Sequence, residues 1–224
     1  MGLDFEHKQF QQYAYEFVNS KVMPNAKQYE KQGFINRELF YEISKVGFMG
    51  MNIPKAYGGS NLDMMKIGIL NEEFAKASSS VRSIFTVQGM VSLAILRWGN
   101  EEQKKRWLPQ LASGELFGAF VLAEEQAGSD AGNIQLKAEK QDNYYVLNGS
   151  KVWTTMGQIA DIYLVFAKYQ GNIIALLVEK NNEIEIEPVS GLLGMRASMI
   201  ANITFKNCLV PVENLIGTEE AGFQ

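Results

Sequence analysis

The spacing of apolar residues changes at about residue 115 of the chain. Before that point apolar side chains recur every three to four residues, which is typical of helices that bury one face. After Ser113-Gly114 they alternate with polar residues over short segments, which is the pattern of strands. No helical pattern separates successive strands, so a parallel doubly wound sheet is not expected. The change therefore predicts an α+β chain, with an all-helical domain over residues 1–115 and an antiparallel β-barrel or sandwich domain over residues 116–224.

Polar and helix-breaking residues predict where individual helices begin and end. Asn36 and Asp63 stand just before segments of helical period, so both are candidate N-caps. A long helix is expected to stop at Gly99. A shorter helix beginning at Glu101 is expected to be cut by Pro109, because a proline removes one helix hydrogen bond and crowds the preceding turn.

Six segments of the second half have the alternation of strands. They are residues 117–123, 134–140, 144–147, 162–168, 173–179 and 203–210. Asn148-Gly149 predicts a two-residue hairpin turn, because both central positions of a type I′ turn need positive φ. Gln170-Gly171-Asn172 is expected to separate two further strands in the same way.

Charge and hydropathy argue against several partners. The chain has 21 basic and 25 acidic residues, a net charge of −4, whereas nucleic acid and anionic membranes attract concentrated positive charge. We find no apolar run approaching the roughly 20 residues that span a bilayer, and the N-terminus does not resemble a signal peptide. The single cysteine, Cys208, excludes an internal disulfide and fits a reducing compartment. We therefore expect a cytoplasmic protein, with Cys208 buried on a strand.

The residue inventory also limits the chemistry. His7 is the single histidine, so a Ser-His-Asp or Cys-His arrangement would have to use it, and we expect it to be solvated on the first helix. His and Cys clusters of the kind that bind metals are missing from the sequence, so no metal site is predicted. Neither a GxGxxG nor a GxxxxGK[ST] phosphate loop occurs.

Two short clusters in the β half carry residues suited to a polar, ring-containing ligand. In AEEQAGSD, the chain leaves a strand at Gly128 and Ser129, where positive φ, free amides and a hydroxyl could serve a phosphate. In KVWTT, Trp153 could present its indole face to a ring, with the Thr155 hydroxyl on the same side by strand periodicity. An ordinary turn and a packing tryptophan explain the same residues. The residues alone permit a flavin or nucleotide site without requiring one.

Taken with their flanks, these clusters resemble the acyl-CoA dehydrogenase family. AEEQAGSD (residues 123–130) is similar to that family's TEPxAGSD-like motif, and NGSKVWTTM (residues 148–156) to its NGxKxWITN-like motif. The runs WGNEEQK (residues 98–104) and VPVENLIG (residues 210–217) resemble its helical domain and its closing strands. The resemblance covers nearly the whole chain.

The resemblance implies an FAD-dependent enzyme that oxidises the Cα–Cβ bond of an acyl thioester, bound to CoA or to a carrier protein. The residues that it assigns to FAD are Phe120, Leu122, Ala123, Gly128, Ser129, Trp153, Thr154 and Thr155. The backbone of the first three would meet the isoalloxazine, Gly128 and Ser129 the pyrophosphate, and Trp153 to Thr155 the ring and the region of its N5 atom. Ser129 would also lie near the pantetheine of the substrate.

The resemblance leaves several features open. Ala123 stands where the family has threonine, Glu125 where it has proline, and Met156 where it has asparagine.

The family's α-proton base lies in a C-terminal four-helix domain, which is expected beyond Gln224, so no catalytic residue is assigned in this chain. An electron-transfer flavoprotein or oxygen would accept the electrons, and a homodimer or homotetramer is expected at full length. A flavin-dependent oxygenase or oxidase, or a non-catalytic partner subunit, are the alternatives.

Overall fold

A helical half is followed by a sheet, as the change in apolar spacing predicts. The computed structural model describes residues 2–220 and 222, so the predicted end of the second domain at Gln224 lies outside the described residues. The helices are α1 (Phe5–Phe17), α2 (Met23–Gln32), α3 (Arg37–Lys45), α4 (Met64–Ala77), α5 (Ser79–Trp98) and α6 (Glu101–Ser113). A π-helical turn, Val18–Val22, joins α1 to α2.

The predicted helix boundaries are confirmed at three positions. Asn36 is the N-cap of α3, although its side chain makes no capping hydrogen bond. Asp63 is the N-cap of α4 and accepts a hydrogen bond from the amide of Lys66 at 2.8 Å. Helix α5 ends at Gly99.

The prediction that Pro109 cuts the last helix is wrong. Helix α6 continues through Pro109 to Ser113 and ends at Gly114, whose φ is 70°. Leu111 and Ala112 lie beyond the proline and are buried in the core. Their burial stabilises the last turn by more than the hydrogen bond that a proline removes, so tertiary packing overrides the local signal.

His7 is not freely solvated, contrary to expectation. Its ring lies between Asp4 and Asp63, with Nδ1 2.8 Å from the first carboxylate and Nε2 3.3 Å from the second. Burial by itself lowers the pKa of His7, but the hydrogen bonds to the two carboxylates and their charges outweigh it, so the pKa of His7 is raised. The ring therefore links the N-terminus of α1 to that of α4.

Helix α5 is the central helix of the fold. By length and composition it is long and apolar enough to cross a membrane, so the expectation that no segment reaches that length is wrong. However, 67% of its apolar window is buried inside the protein, where α5 packs against α4, α6 and the first strand. A buried core helix has the same composition, and in this structure α5 is a core helix.

The described strands form one sheet. They are β1 (Gly118–Val121), β2 (Lys137–Gln141), β3 (Tyr144–Thr154), β4 (Ile162–Tyr169), β5 (Asn172–Glu179), β6 (Ile184–Pro188), β7 (Ala201–Pro211) and β8 (Leu215–Ile216). Their order is β6-β7-β3-β2-β4-β5-β8, with β1 beside β4. Strands β6 and β8 were not predicted. The sheet is mainly antiparallel, but β1 is parallel to β4, because the β2–β3 hairpin intervenes before the chain returns beside β1.

One of the two predicted turns is confirmed and the other is wrong. Gln170 and Gly171, with φ of 48° and 88°, form the two-residue turn between β4 and β5. Asn148-Gly149 instead lies inside β3, where the pairing with β7 slips by one residue. Gly149 has φ of 138°, so the glycine serves a β-bulge rather than a hairpin.

A buried glutamine joins the helical half to the sheet. Gln88 of α5 donates hydrogen bonds to the carbonyls of Leu111 and Leu116, at 2.9 and 3.0 Å. Its Oε1 accepts from the amide of Gly118, the first residue of β1, at 2.8 Å. All polar atoms of the amide are thereby engaged in the interior, which fixes where β1 begins and therefore where the chain leaves it.

Candidate functional site

Both sequence clusters meet at one cleft in the β half. The cleft has a volume of about 510 Å³ and lies where the chain leaves β1 and where β3 ends. Its lining residues are Ala123, Glu124, Glu125, Gly128, Val152, Trp153, Val189 and Asn202. We call it the β-domain cleft. Three of the predicted cofactor residues line it: Ala123, Gly128 and Trp153.

The segment after β1 forms a tight turn that exposes unpaired amides. Glu124 and Ala127 exchange two backbone hydrogen bonds of 3.0 and 3.1 Å, which close the turn. Beyond it, Gly128 and Ser129 are exposed, and no described residue accepts a hydrogen bond from their amides. Gly128 does not use positive φ, contrary to expectation, but a Cβ there would meet nothing within 4 Å. The space beside these amides is open to a ligand.

Trp153 combines an unusual backbone with an exposed side chain. Its φ is 57°, in the left-handed region that bulky residues avoid. Its side chain is not held by packing, because the residue is 60% exposed at the cleft. Its amide points toward Asn202 Oδ1, at 3.4 Å. Strained, exposed residues of this kind cluster at binding sites, where the surrounding structure enforces them.

The two threonines after Trp153 do not line the cleft. Strand β3 ends at Thr154, and its register with β7 slips between Lys151 and Thr154. Thr155 therefore lies in the following turn, and the strand periodicity that was expected to place it beside Trp153 does not apply. Thr154 is buried, and its Oγ1 has no hydrogen-bond partner among the described residues.

The side chains of Phe120 and Leu122 also lie outside the cleft. The Phe120 ring packs against Phe166, with 5.1 Å between ring centroids. Phe120 lines a separate apolar groove of about 300 Å³ beside α5, together with Met90 and Trp98. The Leu122 carbonyl is turned inward, where Lys151 donates to it. Of these three predicted backbone contacts, Ala123 alone lines the β-domain cleft.

A buried ion pair, which sequence reasoning missed, connects the two clusters. Lys151 of β3 and Glu124 of the turn lie 2.8 Å apart, with side chains 0% and 3% exposed. Lys151 Nζ also donates to the Leu122 carbonyl at 2.8 Å. Burial lowers the pKa of Lys151, and the adjacent carboxylate opposes that shift. The signal available in the sequence was a pair of opposite charges, one in each motif.

Glu124 has further donors that keep its carboxylate ionised. The amides of Gln135 and Leu136 donate to it at 2.6 and 2.9 Å, and the Gln126 side chain at 2.7 Å. Burial raises the pKa of Glu124, but Lys151 and the two backbone amides outweigh it, so the pKa of Glu124 is lowered. This carboxylate is therefore structural and not available as a base.

The donors and surfaces of the cleft fit a flat ring that carries a phosphate. The exposed Trp153 indole offers a stacking face, and the free amide of Gly128 offers a donor to an anion. The predicted Ser129 does not itself line the cleft, but its free amide follows Gly128 in the chain. Glu125, exposed at the same cleft, opposes an anion by its charge. The arrangement defines a class of protein, in which a helical domain supports a β domain that holds a ring-containing nucleotide cofactor.

Comparison with known proteins identifies the family. Residues 4–115 match the family model described as "Acyl-CoA dehydrogenase, N-terminal domain", and residues 119–208 match "Acyl-CoA dehydrogenase, middle domain". The chain belongs to the acyl-CoA dehydrogenase family.

Individual relatives agree with this assignment. The chain is 35% identical to mitochondrial isovaleryl-CoA dehydrogenase of Pongo abelii, over 99% of this chain and 55% of that protein. Its structure is similar to acyl-CoA dehydrogenase from Geobacillus kaustophilus, with a TM-score of 0.94 and 33% identity, covering 99% of this chain and 60% of that one. It is also similar to Bacillus anthracis acyl-CoA dehydrogenase complexed with FAD, with a TM-score of 0.91 and 32% identity, covering 98% and 38%. The chain thus spans about half the length of the curated relatives it matches.

Proposed function

We propose that this chain is the FAD-binding part of an enzyme that oxidises the Cα–Cβ bond of an acyl thioester. Family membership supports the reaction class, and the FAD-bound structure from Bacillus anthracis supports the cofactor. The observation in this chain that carries the proposal is Trp153, strained and exposed at a cleft with free backbone donors. A packing tryptophan would be buried and would not need a left-handed backbone.

The residues of the cleft divide between the two ends of the cofactor. Trp153 offers its indole to the ring, and the Ala123 amide offers a hydrogen bond beside it. The amides of Gly128 and Ser129 would hold the pyrophosphate, with the Ser129 hydroxyl also near the pantetheine of the substrate. When bound, FAD would supply the acceptor for the hydride that leaves Cβ, and the amide of Ala123 would stabilise the added negative charge at its ring.

Removal of the α-proton requires a base on the opposite side of the substrate. Glu124 is engaged in its buried ion pair, and we assign the role to no described carboxylate. We propose that the base belongs to the part of the relatives' length that this chain does not span. The acyl carrier is CoA or a carrier protein, the electron acceptor is an electron-transfer flavoprotein or oxygen, and the assembled enzyme is a cytoplasmic homo-oligomer.

Flavin binding is the direct test of the cofactor. Titration of the chain with FAD, FMN and riboflavin is expected to quench Trp fluorescence and shift the flavin spectrum, most strongly with FAD because FMN and riboflavin lack part of the phosphate contacts. A wild-type protein that binds none of the three would refute the proposal.

Anaerobic addition of acyl-CoA thioesters to the full-length protein tests the reaction. Bleaching of the flavin with formation of the enoyl thioester is expected. Oxygen consumption without an enoyl product would favour the oxygenase or oxidase alternative. A flavin that is bound but bleached by no thioester would favour the non-catalytic subunit.

A further inference from the structure

We propose that Lys151 is a positioning residue that aims the Ala123 amide at the ring of the bound cofactor. The inference rests on the proposed function, because it concerns how the same cleft holds FAD. It assigns a role to a buried lysine whose side chain does not line the cleft. The lysine acts through one peptide unit, the one between Leu122 and Ala123.

The geometry of that peptide unit carries the first step. Lys151 Nζ donates to the Leu122 carbonyl at 2.8 Å in the protein interior. In a planar trans peptide the C=O and the following N–H point in opposite directions. Fixing the Leu122 carbonyl inward therefore directs the Ala123 N–H outward, and Ala123 lines the β-domain cleft. No described residue accepts a hydrogen bond from this amide.

The next residue of β3 fixes the other side of Ala123. The amide of Val152 donates to the Ala123 carbonyl at 2.9 Å. Two successive residues of β3 thus hold two successive carbonyls, and Trp153 follows immediately on the same strand. The Ala123 amide is consequently fixed relative to the exposed indole. Since the Ala123 side chain is a methyl group, the amide is the one donor that this residue can offer.

The buried ammonium of Lys151 also makes the Ala123 N–H a stronger hydrogen-bond donor. An ammonium bound to a carbonyl polarises the peptide unit, so the N–H at its other end becomes a stronger donor. A donor at the ring favours the reduced, electron-rich form and raises the reduction potential of the flavin. Glu124 neutralises Lys151 and anchors it through the amides of Gln135 and Leu136. The ion pair therefore serves the cofactor through backbone geometry.

The test compares three variants of the FAD-loaded full chain. Lys151→Met removes the ammonium, and Lys151→Met/Glu124→Gln also removes the carboxylate charge left without its partner. Val178→Ala is the control, because Val178 is buried on β5, three strands away from β3, and does not line the cleft. For each protein we would measure apoprotein unfolding in urea, the Kd for FAD and the reduction potential of the bound FAD.

Positioning and purely structural roles predict different outcomes. Lys151→Met is expected to weaken FAD binding by about tenfold, as for loss of one neutral hydrogen bond from the Ala123 amide, and to lower the potential. The double variant is expected to recover much of the apoprotein stability, because no unpaired buried charge remains, without recovering FAD affinity or potential. Val178→Ala is expected to lose stability while keeping both flavin properties.

Two results would overturn the inference while leaving the proposed function intact. One is a Lys151→Met protein with wild-type FAD affinity and potential. The other is a double variant that regains stability, affinity and potential together, since Lys151 would then act only through folding. Failure of the wild-type protein to bind FAD is a separate result, which would refute the proposed function and this inference with it.

Discussion

Trp153 has a backbone conformation and an exposure that both count against stability of the fold. A left-handed backbone conformation costs an L-residue roughly 1–2 kcal/mol, and a bulky side chain avoids it. Because 60% of Trp153 is exposed to solvent, burial of its indole contributes little stabilisation to offset that cost. Neither backbone preference nor packing explains a tryptophan at this position. The proposed flavin, which covers the indole, accounts for it.

Replacing Trp153 by glycine should therefore separate stability from binding. We expect Trp153→Gly to change the free energy of unfolding by less than about 1 kcal/mol, because relief of strain offsets the greater chain entropy of glycine. FAD affinity should fall at least about tenfold, as expected for loss of an aromatic stacking partner. Urea unfolding of the apoprotein and flavin titration measure the two quantities. Trp153→Phe is the control, because it keeps an aromatic ring and the strain, and a loss of several kcal/mol in Trp153→Gly would show a packing role instead.

At the scale of elements, strand β3 shows what the sequence could and could not predict. The change from helical to strand spacing separated the helical half from the sheet, and three residues of the two motifs, Ala123, Gly128 and Trp153, line the β-domain cleft. Asn148-Gly149 was misassigned because a glycine with positive φ occurs both in hairpin turns and at β-bulges, and the pairing of β3 with β7 decides between them. The buried role of Lys151 was missed because a lysine within a strand ordinarily faces solvent. The sequence does not show that Glu124 is its partner, because the two residues come together only when the turn after β1 folds back against β3.

One glycine inside a strand and one in a turn provide a matched test of the bulge. A Cβ at Gly149 would lie 3.2 Å from the Leu136 Cα, with φ at 138°, whereas Gly171 has φ of 88° and nothing within 4 Å. We expect Gly171→Ala to lower the free energy of unfolding by about 1 kcal/mol, from backbone strain alone. Gly149→Ala should lower it by about 2–3 kcal/mol, because strain and overlap add. Urea denaturation of both variants checks this, and equal losses would mean that the bulge relaxes freely.

At the scale of the whole molecule, the cleft depends on contacts that cross between helices and sheet. Arg37 of α3 pairs with Asp161 at 2.9 Å, just before β4. Gln103 of α6 donates to the carbonyls of Glu213 and Leu215, at 2.7 and 2.8 Å. Gln88 holds the start of β1, which leads directly into the segment that carries Ala123 and Gly128. The helical half thus holds the segment that carries Ala123 and Gly128 in position without lining the cleft.

Substitution of Gln88 tests whether the helical half holds the segment after β1 in position. Gln88→Met keeps the length and most of the volume of the side chain but leaves the carbonyls of Leu111 and Leu116 and the amide of Gly118 without their partner in the interior. Because each unsatisfied buried group costs about 1–3 kcal/mol, we expect the free energy of unfolding to fall by at least about 3 kcal/mol.

The same substitution should disturb the cleft from a distance. With the start of β1 released, FAD affinity is expected to fall although Gln88 lies outside the cleft lining. Gln12→Met is the control, because Gln12 is exposed and, among the described residues, its side chain donates to Glu16 alone, at 2.8 Å. It should leave both quantities unchanged. Urea unfolding and flavin titration check the pair. A Gln88→Met protein that is destabilised but binds FAD with wild-type affinity would show that β1 is held in place by the sheet alone, since the segment that carries Ala123 and Gly128 would then be independent of the helices.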